Sequence, residues 1–115
     1  MSDMTFTGMV QRGTGRASAL GFPTVNISLA NKNLSGIYAA KVTVDGREYI
    51  AAAYADQKRG LLEAYLFNFS GNLYGREISA ELYKKIREDK NFTDDLSLRE
   101  AIAADTRAVT EYFKP

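Results

Sequence analysis

Glu63 is the residue with the most chemical promise. It stands inside Leu61-Leu62-Glu63-Ala64-Tyr65-Leu66-Phe67, where every near neighbour is apolar or aromatic. On a strand it shares a face with Tyr65 and Phe67. Burying a carboxylate is costly, so such a site either pairs it or raises its pKa. A carboxylate with a raised pKa in an apolar wall is what a general base working near neutral pH needs. The competing reading is an exposed edge position, or a Glu paired with a Lys. Thr24 and Asn26 come second. Spaced i, i+2 in an extended segment, their side chains point to one side. A hydroxyl and a carboxamide oxygen both suit a hard cation such as Mg²⁺, and bound phosphate would complete its coordination. The competing reading is a turn after Pro23 in which both side chains bond to the backbone. Third is the run Gly13-Thr14-Gly15-Arg16 with Gly21. Closely spaced glycines free backbone N–H groups to approach phosphates, and Arg16 can neutralise charge. The run matches neither the Walker A pattern nor the full dinucleotide fingerprint, so a plain connection is the alternative. Arg87, between the last strand pattern and a helix, and Tyr74-Gly75, after Asn72, read on pattern alone as a solvated connector and a turn.

Composition narrows what these residues have to do. The chain of 115 residues has no Cys and no His. That removes thiol nucleophiles, Ser-His-Asp triads, and Cys- or His-ligated metals. Acid–base chemistry falls to Asp, Glu, Lys or Tyr, and any metal is a hard cation held by oxygen. Lys plus Arg is 15 and Asp plus Glu is 14, for a net charge of +1. This near-balance argues against a nucleic-acid binder that relies on a general basic field. The length suits one domain, and 45% hydrophobic residues suffice for a core. No run approaches the length of a membrane span, and Met1 to Thr7 is polar. A monomeric, single-domain cytoplasmic protein is expected.

The elements that must position these residues are mostly strands. Phe6 to Gln11 is a short β-forming run, and Arg12 to Gly21 reads as a loop. In Phe22 to Ile27, Pro23 argues against a central strand. Asn31 to Ser35 is a polar loop. Ile37 to Val44 and Arg47 to Tyr54 flank Asp45-Gly46, a strong hairpin signal. Ala55 to Gly60 is a polar loop, Leu61 to Phe69 the most apolar stretch, and Ser70 to Asn72 a turn. Glu77 to Ile86 alternates, with Ile78, Ala80 and Leu82 on one face. From Asp95 to Phe113 the period changes, with Leu98, Ile102, Val109 and Phe113 on one helical stripe and Ser97-x-x-Glu100 as a candidate capping box. The pattern predicts a mainly β chain: a small barrel of five or six strands with a C-terminal helix.

In order along the chain stand Gly8-Met9-Val10, Gly15-Arg16, Leu20-Gly21-Phe22-Pro23-Thr24-Val25-Asn26-Ile27, Gly36-Ile37-Tyr38-Ala39, Leu62-Glu63-Ala64-Tyr65-Leu66-Phe67-Asn68-Phe69, Leu73-Tyr74-Gly75, Ile86-Arg87, Phe92, Leu98, Ile102 and Asp105. Together they resemble the riboflavin kinase family, and Gly21 to Asn26 is the most specific part. The resemblance implies a six-stranded Greek-key barrel with a C-terminal helix, and Mg²⁺-dependent transfer of phosphate from ATP to riboflavin. It implies Mg²⁺ at Thr24 and Asn26, and Glu63 as base for the ribityl 5′-hydroxyl. The loop with Gly13, Gly15, Arg16 and Gly21 would cover the nucleotide beside Pro23, and Arg87 and Tyr74 would border the ligands. The chain departs from the family pattern at Tyr65, where His is common, at Asn68 and Asn72, where Asp is common, and in its short Ala55 to Gly60 stretch. A non-catalytic flavin- or nucleotide-binding barrel is the alternative.

Overall fold

The computed structural model describes residues 4–13, 15–30 and 33–115. The sequence readings that include Thr14, or that begin at Asn31 and Lys32, lie in part outside the described residues. In chain order the elements are β1 (Thr5–Met9), α1 (Arg16–Ala19), β2 (Val25–Ser28), β3 (Gly36–Val44), β4 (Arg47–Asp56), β5 (Leu61–Leu66), β6 (Glu77–Arg87) and α2 (Asp95–Tyr112). The six strands form one sheet in the order β1-β6-β3-β4-β5-β2. All ladders are antiparallel. β3, β4 and β5 follow one another directly, and β6 returns by a longer connection to lie beside β3, which is a Greek key. The two ends of the order meet where the Gln11 N–H donates to the Asn26 carbonyl at 2.8 Å, so the sheet curls into a nearly closed barrel. No helix among the described residues is long and apolar enough to cross a membrane.

Local chemistry explains the elements. The β3–β4 turn needs two left-handed residues in a row, and Asp45 (φ 50°) and Gly46 (φ 79°) supply them. Strand side chains alternate between two environments. Ile27, Tyr38, Ala40, Val42, Ala51, Ala53, Leu62, Ala64, Ile78, Ala80 and Leu82 fill the barrel. The alternate residues of β3 and β4 face outward, yet Ile37 and Ala39 are also buried, because α2 covers them. Alanine is a poor strand former, but its small side chain suits both faces here. Ala51 and Ala53 fit a narrow interior, while Ala39 and Ala52 keep the outer face low.

Four sequence expectations need correction. The Arg12–Gly21 stretch holds a one-turn helix, α1, too short to show a period; Ala17 and Ala19 favour it and Gly15 (φ 75°) begins it. Asp94, not Ser97, caps α2: its Oδ1 accepts the Ser97 N–H at 2.7 Å and its Oδ2 the Ser97 hydroxyl at 3.0 Å. β5 ends at Leu66, since Asn68 (φ 57°) leaves the strand region. β4 runs on to Asp56, which shortens the Ala55–Gly60 loop to a tight turn. Pro23 behaves as expected, just outside β2, a strand paired only with β5 among the six.

Candidate active site

Register brings the candidate residues together. Asn26 lies opposite Glu63, Glu63 opposite Tyr54, Tyr54 opposite Ile37, and Ile37 opposite Arg87. Directly opposed residues share a face, with Cβ atoms about 4.5–5.5 Å apart. These five therefore form one transverse row on the outer side of the barrel, and Thr24 extends the Asn26 side by two residues. Glu63, Tyr54, Ile37 and Arg87 of this row, with Thr24, line a cavity of about 380 Å³ between the barrel, α1, α2 and the connector before α2, while Asn26 stands beside Glu63 without lining it. That volume falls in the usual range for small-molecule sites. Phe22, Ile37, Ala52, Tyr65, Phe92, Leu98 and Ile102 give it apolar walls. Phe22 and Tyr65 meet edge to face at 5.4 Å.

Glu63 lines this cavity, half-buried. Burial pushes its pKa above the ordinary carboxylate value; a hydrogen bond from Thr24 and the field of Arg59 pull it back, and Asp56 adds to the rise. The Thr24 hydroxyl donates its proton to Glu63 and keeps its oxygen lone pairs for another partner. Asn26 is 5% exposed. Gly13 lies against its carboxamide: a Cβ on Gly13 would sit 2.5 Å from Nδ2 and 2.6 Å from Oδ1. The bare backbone of Gly13 is thus a cradle that any side chain would fill. Among the described residues no three Asp or Glu gather as a metal site. A cation here would rest on the neutral oxygens of Thr24 and Asn26 and on ligand phosphates, and the donor set fits Mg²⁺ in that form.

The remaining predicted residues divide. Arg16 lines the cavity and donates from Nη2 to the Phe92 carbonyl at 3.1 Å, with Asp95 at 3.7 Å. Gly15 and Gly21 (φ 96°) bracket α1, and Pro23 precedes Thr24; none of the three lines the cavity itself. Tyr74 is not brought to the cavity: it is 51% exposed, and the Arg12 guanidinium lies 5.0 Å from its ring centre. Arg87 lines the cavity, but its guanidinium is held by the protein. Nε and Nη2 donate to Asp105 Oδ1 and Oδ2, both at 2.8 Å, and Nη1 donates to the Glu88 carbonyl. This bidentate pair pins α2 to β6. Asp105 is 6% exposed and sits on the stripe of Leu98, Ile102 and Val109. A charge on an apolar helical stripe was the signal for it.

Three cavity residues escaped sequence reasoning as site residues. The Tyr54 hydroxyl donates to Asp89 Oδ2 at 2.9 Å and ties the connector to β4. Burial and that bond raise the Tyr54 pKa well above the ordinary tyrosine value. Arg59, in the β4–β5 turn, lines the cavity beside Glu63. Asp89 belongs to a connector that read as solvated. Only the fold places these polar residues beside Glu63.

The comparisons with known proteins bear on the family and the fold. A family model described as riboflavin kinase matches residues 1–113. The bifunctional riboflavin kinase/FMN adenylyltransferase of Buchnera aphidicola subsp. Schizaphis graminum is 36% identical over 95% of this chain and 38% of its own length. The chain thus spans less than half the length of such bifunctional relatives. The crystal structure of riboflavin kinase from Trypanosoma brucei aligns with TM-score 0.66 and 25% identity, over 94% of this chain and 78% of that one. A Streptococcus pneumoniae structure described as a macrolide-efflux protein aligns with TM-score 0.80 over 92% of this chain and 38% of that one; at 24% identity it attests the fold alone. An antiparallel Greek-key barrel, a C-terminal helix docked by an Arg–Asp pair and a family match over nearly the whole length lead to one assignment: the chain belongs to the riboflavin kinase family.

Proposed function

We propose that this chain transfers the γ-phosphoryl group of ATP to the 5′-hydroxyl of riboflavin, giving FMN, with Mg²⁺. The observation that carries the reading is that Thr24 and Glu63, hydrogen-bonded to each other, line one cavity, with the buried Asn26 directly opposite Glu63 across β2 and β5. Base and cation ligands are thereby held side by side, as a kinase needs and a simple flavin carrier does not. The aromatic and aliphatic walls suit a flat conjugated ring. Mg²⁺ bound with ATP would neutralise phosphate charge at Thr24 and Asn26. Glu63 takes the proton of the attacking hydroxyl, and its raised pKa strengthens it as an acceptor. Thr24 holds the carboxylate in place. Tyr54, Asp89, Arg87 and Asp105 keep the connector and α2 over the cavity and limit water. The reading takes the chain as one domain, a monomer in the cytoplasm, working without nucleic acid or membrane.

The test is direct. The purified chain, incubated with riboflavin, ATP and MgCl₂, should form FMN detectable by chromatography, and omission of Mg²⁺ should abolish it. Flavin binding without FMN formation would replace the kinase reading with that of a binding barrel.

A further inference from the structure

Two cations that line the cavity, Arg59 and Lys90, have no part in the reaction described so far; the Lys90 ammonium lies on the connector, 5.9 Å from the Phe92 ring centre. Arg59 stands in the β4–β5 turn, next to the strand that carries Glu63. Asp56, 6% exposed although charged, grips it twice. Its Oδ1 accepts the Arg59 backbone N–H at 3.2 Å and its Oδ2 accepts Nη1 at 2.9 Å. Nε and Nη2 keep their hydrogens without a partner among the described residues, and the side chain is 54% exposed. The other guanidiniums of the cavity are engaged differently: Arg87 by Asp105 and Glu88, Arg16 by the Phe92 carbonyl and Asp95. Arg59 is thus anchored at one end and open at the other.

Distance sets what the open end can meet. A base takes a proton from an oxygen about 3 Å away, and that oxygen attacks phosphorus from about 3–3.5 Å. The transferred group therefore lies within about 6.5 Å of Glu63, in the cavity that Arg59 also lines. We propose that Arg59 binds the phosphoryl group on the acceptor side: it neutralises charge as the group arrives on the 5′-oxygen and then holds the phosphate monoester of the product. In this step the bond from the γ-phosphorus to its bridging oxygen breaks, and the electron pair leaves with ADP. The bond to the 5′-oxygen forms, and the hydroxyl proton passes to Glu63. Arg59 exchanges neither bond nor proton. The proposal rests on the flavokinase reading and adds a residue to it. The Asp56–Arg59 pair lies within the short Ala55–Gly60 stretch.

The experiment compares two flavins. Dissociation constants for riboflavin and for FMN are measured by flavin fluorescence without nucleotide, on the wild-type chain, Arg59→Gln and Arg59→Lys, with thermal melts on the same samples. Arg59→Gln removes the charge and shortens the side chain, and leaves the backbone N–H that Asp56 accepts. It should leave riboflavin affinity within about twofold and weaken FMN about tenfold, the loss of one charge-assisted pair. Arg59→Lys keeps the charge without the fork and should recover part of the loss. If Arg59→Gln fails to fold, Arg59→Lys carries the comparison, with FMN still weakened more than riboflavin. Equal weakening of both flavins, or no change in either, overturns the proposal and leaves Arg59 a turn residue. A wild-type chain that binds both flavins but forms no FMN overturns the kinase reading instead, and the FMN-to-riboflavin ratio still decides Arg59.

Discussion

Gly13→Ala tests the cation cradle at its least forgiving point. The added Cβ would lie 2.5–2.7 Å from three atoms of the Asn26 carboxamide, where ordinary contact begins at 3.4 Å. The amide, buried at 5% exposure, must retreat by almost an ångström. Gly13 is not among the residues with positive φ, so its backbone tolerates alanine and the clash is the whole effect. Overpacking of this kind costs about 1–3 kcal/mol of stability, the low end applying where a side-chain tip can move. The functional cost is larger. Displacing a cation ligand or its support by this amount lowers metal affinity or turnover about 10–100-fold. The assay is initial rate of FMN formation against Mg²⁺ concentration at saturating ATP and riboflavin. Gly13→Ala should shift the Mg²⁺ dependence to higher concentration, with partial recovery at high Mg²⁺. Gly15→Ala is the control. It strains a left-handed residue (φ 75°) by about 1–2 kcal/mol, but its Cβ meets nothing within 4 Å, so its Mg²⁺ dependence should match wild type. A normal Mg²⁺ curve for Gly13→Ala, or the same shift in both variants, refutes the cradle.

Three further outcomes follow from the same geometry. Glu63→Gln should lower turnover about 10²–10⁴-fold in steady-state assays while calorimetric affinities for ATP and riboflavin barely change, because the base acts on the reacting proton; near-normal turnover would place the base elsewhere. The same variant reports on pH. Burial raises the folded-state pKa of Glu63, so its contribution to stability is fully present below the ordinary carboxylate pKa of about 4.3 and is lost as pH rises through the folded value. Melting temperatures of Glu63→Gln and wild type should therefore coincide near pH 4 and diverge toward pH 7 with the variant higher; a constant gap would show that burial does not govern this group. Asp105→Asn should cost about 3 kcal/mol by denaturant unfolding, since it leaves the largely buried Arg87 guanidinium without its carboxylate; a loss under about 1 kcal/mol would mean that apolar packing alone docks α2.

Much of this site was legible because its signals are local. Glu63 stood out by contrast with its neighbours, Thr24 and Asn26 by i, i+2 spacing, and Asp45-Gly46 by the left-handed backbone that its turn requires. What escaped reading depends on register. The sequence separates Tyr54 from Glu63 and Arg87 from Ile37, and only the ladders show that all four share a row. Likewise Asp56 and Arg59 looked like ordinary turn polarity until β4 proved two residues longer, which buries Asp56 and fixes its partner at the cavity.

Arg87 shows how a correct location can still mislead about role. Its placement at the cavity followed from the resemblance, but the helix stripe assigns its hydrogen bonds. Asp105 occupies a position that an apolar residue would otherwise take, and a buried carboxylate must find a cation. Arg87 is the cation that β6 presents there, with both oxygens of Asp105 at 2.8 Å. With three of its five N–H hydrogens so engaged, Arg87 orients α2 and the connector rather than gripping a phosphate. Arg59, whose outer donors have no partner among the described residues and which lines the cavity from the turn before the Glu63 strand, is the guanidinium left open for the acceptor-side charge proposed above.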